Sequence, residues 1–374
     1  MSSPSTPPGL AKLILTAAGE IEHVPTALDA ELLLSTLLGA AYARCEPDRG
    51  AALDALAADL VEQLAAEDSP RARLIRAVLS GSPPGAPALR VTGGYAYGDR
   101  YGDQSGYVAT FAYGEDEHAV VFVVDHTLGM VRDIMAIAPA SVVLQELDAP
   151  DEMTWSAPLD PASVRVAASA YLRGTDLADE LPEAESLAAN RYLAGRRLAL
   201  LPETGPATED APAAPERNEL ITQFLDAPEA RLSGLARASG ARREAVGYAL
   251  GLCVDYGAAR GGDPLRWSPR AVETFLLEWV HERAVLDPQD VAMLPDTLAA
   301  WVSWAGRKVG LPESAIAATL DRIDALRAEF ARLCTTGERQ SPAVRATAQL
   351  VAEGVDLADP AAVEEWLATY NASH

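Results

Sequence analysis

Apolar side chains recur at intervals of three and four along most of this chain and change to alternation in one stretch, Leu89 to Val124. The first regime predicts helices over 26–44 and 51–66, the latter with Leu53, Leu56, Leu60 and Leu64 on one face, and a third helix from Ser69 to near Gly81. Pro83-Pro84-Gly85 closes that regime. In the alternating stretch Tyr107, Ala109, Phe111 and Tyr113 share one strand face, and Val108, Thr110 and Ala112 share the other. Gly114-Glu115-Asp116-Glu117 reads as a turn, and Ala119 to Val124 as a buried partner strand. With an earlier strand over Leu89 to Tyr97 this predicts a three-stranded antiparallel meander. Residues 130–138 fit either a helix or a strand, and helices follow over 161–173 and 184–199.

Six helix starts share one device, a short oxygen-bearing residue followed by proline: Ser69-Pro70, Asp160-Pro161, Ser268-Pro269, Asp287-Pro288, Ser341-Pro342 and Asp359-Pro360. The side-chain oxygen accepts from a first-turn N–H, and proline fits the first helical position, where its missing N–H costs nothing. From 202 to 217 the chain is rich in proline, alanine and glutamate with no larger apolar anchor, which predicts an exposed linker. Beyond it helices are expected over 218–226, 228–238, 241–256, 269–283, 288–308, 312–336, 342–353 and 360–371. The predicted fold class is therefore α+β. A domain over 1–201 holds helices, the meander and more helices, and an all-helical antiparallel array occupies 218–374.

Composition narrows the function classes. A length of 374 residues favours two domains, and a 49% hydrophobic content supports real cores. The net charge of −24, from 54 acidic and 30 basic residues, argues against a broad footprint for a nucleic-acid backbone or an anionic membrane. No direct nucleic-acid binding and no membrane association are expected. The N-terminus lacks a basic segment followed by a long apolar run, so no signal peptide is expected and the location is read as cytoplasmic. Only Lys12 and Lys308 are lysine, and alanine abounds, which points to a high-GC genome. Cys45, Cys253 and Cys334 stand far apart in apolar contexts and read as buried thiols, not as a disulfide framework.

The densest polar cluster is Gly98-Asp99-Arg100-Tyr101-Gly102-Asp103-Gln104-Ser105-Gly106, between two strands. Asp99, Arg100 and Asp103 are its candidate ligand-binding residues. The cluster lacks the alternate oxygens and closing glutamate of a calcium loop, and a long hairpin connection is the plainer reading. The second candidate is Asp125-His126 at the end of the apolar strand, with Arg132 and Asp133 close behind. A histidine beside a carboxylate can move a proton, and these four form the candidate catalytic set. The simpler alternative makes Asp125 a turn initiator. No G-x-G-x-x-G after a strand, no phosphate-cradling G-x-x-x-x-G-K-[ST], no G-x-S-x-G, no H-E-x-x-H and no C-x-x-C is present, so neither a cofactor nor a metal is expected.

Five of six tryptophans lie beyond the linker, at 267, 279, 301, 304 and 366. Trp301 and Trp304 share a helix face with Arg307 one turn on, and Arg266-Trp267 lies in a loop. As core these residues are ordinary; as surface, Trp301, Trp304, Arg307, Arg266 and Trp267 would anchor a partner protein. The run Val254-Asp255-Tyr256-Gly257, Asp263 to Pro269, Glu273 to Trp279 and Leu298 to Val302 resembles a helical domain met in uncharacterised actinobacterial proteins, some attached to plasmid ORF-3-like modules. The resemblance covers 219–374 and implies fold and lineage but no catalytic residue.

Three functions follow as expectations. The first is a non-enzymatic adaptor or regulatory protein that binds a protein partner through the helical domain. The second is an enzyme or small-ligand binder using the 98–106 and 125–133 loops. The third is an acidic nucleic-acid mimic.

Overall fold

The structure, a computed structural model, describes residues 10–203, 216–259, 263–355 and 359–373. The chain divides into two compact units, Met1–Ala211 and Pro212–His374. Residues 204–215 of the predicted linker lie outside the described residues, and its last residue, Arg217, begins a helix.

The N-terminal unit runs α1 (Leu10–Ala17), α2 (Ala27–Tyr42), α3 (Arg49–Gln63), α4 (Pro70–Leu79), β1 (Leu89–Asp99), β2 (Gln104–Tyr113), β3 (Asp116–Asp125), β4 (Met130–Ile137), α5 (Ser141–Leu147), β5 (Thr154–Pro158), α6 (Pro161–Leu177) and α7 (Glu185–Leu200). The expected three-stranded meander is part of a five-stranded antiparallel sheet ordered β4-β3-β2-β1-β5. Residues 130–138 are strand. A bulge between Val123 and Val124 shifts the register, so that Val131 pairs with Val124 and Ile134 with Phe122. The extra residue puts two apolar side chains three apart on one sheet face, and that spacing imitates a helix. Strand β5 is a short, mostly exposed edge, and neither it nor α5 is signalled by the apolar pattern.

One face of the sheet is covered by α6 and α7 through Phe111, Phe122, Ile134, Leu172 and Leu198. The other carries α5 over Val108, Val121 and Val143. Helix α7 is buried on both sides, since Tyr192 and Ala188 belong to a second core that α2, α3 and α4 build from Leu34, Leu38, Leu53, Leu56 and Ile75. The approach of α2 to α7 requires Gly39: a Cβ there would stand 2.2 Å from the Ala188 carbonyl oxygen. Ser35, one turn earlier, donates to the Ala189 carbonyl at 2.6 Å and accepts from the Leu193 amide at 3.1 Å.

The C-terminal unit is all helical: α8 (Arg217–Leu225), α9 (Pro228–Leu232), α10 (Ala241–Ala259), α11 (Pro269–Thr274), α12 (Val280–Arg283), α13 (Pro288–Lys308), α14 (Glu313–Thr336), α15 (Pro342–Ala352) and α16 (Pro360–Ser373). All six oxygen-proline pairs begin helices, each cap oxygen accepting first-turn amides. The predicted 228–238 helix is instead α9 and a separate 3-10 turn, split at Gly234 with φ of +75°. The predicted 269–283 helix contains a π turn, Phe275–Trp279, where Phe275 and Trp279 stack with centroids 5.8 Å apart.

Candidate functional site

The two predicted loops meet at one end of the sheet. Gln104 pairs with Asp125, and the His126 amide donates to the Asp103 carbonyl at 2.9 Å. The carboxylates of Asp99 and Asp125 accept from local backbone. Asp99 accepts from the Asp103 and Gln104 amides at 3.2 and 2.6 Å. Asp125 accepts from Thr127 and Leu128 at 2.9 and 3.2 Å, the turn-initiating role. Asp133 accepts from its neighbour Ile134 and from Ser186 on α7, while Arg132 points outward, exposed. Arg100 is exposed too, its amide bonded to the Met153 carbonyl.

His126 does reach two partners: Nε2 lies 2.9 Å from Ser105 Oγ, and Nδ1 lies 3.1 Å from the Tyr171 hydroxyl on α6. The chain Ser–His–Tyr has the outline of a nucleophilic triad, but a phenol in the third place brings no negative charge to stabilise an imidazolium. Ser105 is itself buried, so its oxygen is not presented to a substrate. The arrangement fastens α6 to the sheet end.

A different site lies at the opposite end of β2 and β3. A cleft of about 740 Å³, within the range of ligand pockets, is walled by residues 21–30 at the start of α2, the proline-rich 83–87 loop, the β2–β3 turn, and Ala138-Pro139. His118 lines it. This residue is 1% exposed and stacks beside Phe111 and Tyr113, with centroids 5.7 and 6.1 Å away. Behind it Arg197 of α7 donates through Nε to His118 Nε2 at 3.1 Å. The same guanidinium grips both carboxylate oxygens of Glu31 on α2, and Tyr113 donates to Glu31 at 3.0 Å. Arg197 also lies over the Phe111 and Tyr113 rings, at 5.5 and 5.8 Å.

That geometry fixes the protonation of His118. Burial, and then the adjacent Arg197 charge, pull its pKa down to about 3, so the ring is neutral near pH 7. A guanidinium donates and cannot accept, so Nε2 must be the acceptor and the ring proton must sit on Nδ1. Among the described residues this Nδ1–H has no hydrogen-bond partner. A buried donor left unmet costs about 1–3 kcal/mol. In the same network, burial followed by the Glu31 charge pushes Tyr113 up to about 12, keeping its hydroxyl a donor.

Sequence reasoning missed this constellation. Its one legible signal is that His118 alternates in step with Val120, Phe122 and Val124, which places it on the buried face. Nothing local reveals Glu31 or Arg197, 166 residues apart, as its partners.

The proposed aromatic anchor requires correction. Trp267, Trp301 and Trp304 are 1%, 0% and 8% exposed and belong to the core of the C-terminal unit. Trp267 and Trp301 both donate to the Pro264 carbonyl, at 2.9 and 3.3 Å, because an indole N–H taken from water needs an acceptor. Arg307 is held by Glu229 and Glu313, and Arg266 by Asp263. Cys253 is fully buried, and burial pushes its thiol far above the usual range.

Among the described residues no group of three or more His, Cys, Asp or Glu is placed to hold a metal, and no helix is long and apolar enough to cross a membrane. No family model matches the chain, and neither the curated proteins nor the solved structures give a match.

Proposed function

We propose that the N-terminal unit is a small-ligand-binding module whose site is the cleft floored by His118. The observation that carries this reading is a cleft of about 740 Å³ whose lining includes His118, a residue 1% exposed with an unpartnered Nδ1–H. Buried donors are nearly always satisfied, and an exception is accounted for by strain, an ordered water or a bound group. The ligand is a molecule with both apolar and polar groups, since Ile21, Val24, Leu28, Leu74 and the 83–87 prolines share the walls with Glu22, Glu115, Asp116 and Glu117. Chemistry is not required of the site: the imidazole is locked in one tautomer by Arg197 and is a poor base.

The test is a long-range proton–nitrogen NMR spectrum of the full chain, with and without acetophenone. The expected result is a pyrrole-type Nδ1 and a pyridine-type Nε2 at His118, with the Nδ1–H resonance moving as the ketone is added and staying still for ethylbenzene. An Nε2-protonated tautomer, or equal response to ketone and hydrocarbon, sinks the reading. A single ordered water at Nδ1 that no ketone displaces does the same.

A further inference from the structure

The C-terminal unit gathers positive charge at one place. Between Ala230 and Leu250 stand four arginines, Arg231, Arg237, Arg242 and Arg243, and a single carboxylate, Glu244, in a chain with 54 acidic and 30 basic residues. With carboxylates in excess, an exposed arginine ordinarily finds one. Arg217, Arg307, Arg322, Arg327 and Arg332 of the same unit are each paired. Arg231 donates to the Asp226 carbonyl. Arg237, Arg242 and Arg243 are exposed, and among the described residues none of the three forms an ion pair or a side-chain hydrogen bond.

Local structure sets these groups on a projection. Leu235–Arg237 form the 3-10 turn, the chain then turns through Gly240 at φ of +57°, and α10 starts at Ala241. Leu235 belongs to the same core as Ala245, Val246, Ala249 and Leu250, which form one face of the first turns of α10. The opposite face, Arg243, Glu244, Gly247 and Tyr248, is exposed. A Cβ on Gly247 would meet nothing within 4 Å, so the middle of that face is open. Past it the helix sinks into the unit, with Gly251 to Val254 buried in succession. Two turns of helix, about 12 Å long, therefore stand out from the core. The order is that of helix-turn-helix elements, in which the start of the second helix meets DNA bases, with the first helix broken here at Gly234.

We propose that the start of α10 is a contact for double-stranded DNA, with Arg237, Arg242 and Arg243 on backbone phosphates and the Arg243–Tyr248 face in the major groove. That groove, about 12 Å wide, admits a helix, whereas the deep, narrow major groove of duplex RNA does not. A guanidinium offers a fork of N–H donors that fits phosphate, and one without a carboxylate has no partner to give up first. An acidic peptide would answer the charge but leave the projecting helix unexplained. The net charge of −24 opposes a broad footprint and not this narrow one, because salt screens distant carboxylates over about 10 Å at 0.1 M ionic strength. Glu244 is the local group that opposes the contact. The surface belongs to the C-terminal unit and is independent of the cleft.

Fluorescence anisotropy of a labelled DNA duplex of about 20 base pairs, titrated with the full chain, tests the contact. Binding is expected in the micromolar range at low salt, with the logarithm of affinity falling against that of salt at a slope near about −2.7, roughly 0.9 for each of three phosphates. Arg237→Gln with Arg242→Gln and Arg243→Gln should weaken binding at least about tenfold and flatten the slope. Arg322→Gln, which removes an exposed but paired arginine, should leave both unchanged. Glu244→Gln should tighten binding severalfold, a gain that a misfolded chain cannot give. No binding at low salt, a triple variant that binds like the native chain, an equal loss in Arg322→Gln, or no gain in Glu244→Gln overturns the proposal. Polyglutamate or duplex RNA binding as tightly as the DNA overturns it too, leaving only a patch for anions.

Discussion

At the scale of single residues, the consequential ones are charged groups taken out of water. Arg197 and Glu31 are 2% and 6% exposed, so removing one partner strands the other. Glu31→Gln should cost about 3–5 kcal/mol of unfolding free energy, measured by urea titration of the N-terminal unit's far-ultraviolet signal. A loss under about 1 kcal/mol would show that the pair is solvated. His118 adds a pH dependence whose sign is fixed. Its folded pKa, about 3, lies below the ordinary 6.5, so the native state refuses a proton that the unfolded chain takes. Its contribution is whole above pH 6.5 and is lost as pH falls toward 3, by at most about 1.4 kcal/mol per pH unit. Burial lowers His281 as well, in the same direction. His118→Gln should flatten the decline between those limits; an unchanged slope would remove His118 as its source. The tryptophans give a further check. Acrylamide should quench Trp155, 37% exposed, readily and leave Trp267 and Trp301 nearly untouched when each is read in a single-tryptophan variant.

Elements were legible wherever local chemistry decides them. The six oxygen-proline starts work because cap and proline act within one turn, and the strand Tyr107 to Tyr113 is legible because apolar residues fill both of its faces, which are buried. Strand β4 was ambiguous because its bulge spaces Val131 and Ile134 like a helix, and β5 was silent because an exposed edge needs no apolar pattern. The Ser105–His126–Tyr171 chain and the His118 cleft were not legible for another reason. Both are assembled by pairing between distant elements, so Asp125-His126 drew notice only because its members adjoin in sequence. The contact of α2 with α7 carries its own prediction. Gly39→Ala places a methyl against the Ala188 carbonyl and should lower stability by about 1–3 kcal/mol, while Gly19→Ala, with open space around it, should not. Thermal unfolding of the two variants side by side decides it.

For the whole molecule, the net charge of −24 is a field before it is a recognition device. Self-repulsion loosens the compact state, so the unfolding midpoint should rise as sodium chloride goes from 10 to 150 mM. A midpoint that falls would mean that attractive pairs such as Arg332 with Glu329 and Glu338 outweigh the repulsion. The same charge keeps anions away from most of the chain's surface.

Helix α7 carries a second buried pair besides Arg197: Arg191 is bound to Asp176 of α6 at 2.8 and 2.5 Å, with Tyr42 donating to the same carboxylate at 2.7 Å. Apolar packing alone would tolerate some sliding or turning of a helix that is greasy on both sides. Two guanidiniums six residues apart, each mated to a carboxylate on a different helix, do not, because any change of register breaks both at once. Helix α7 therefore behaves like a key with two teeth. The position of His118, which Arg197 holds from behind, is set when the chain folds.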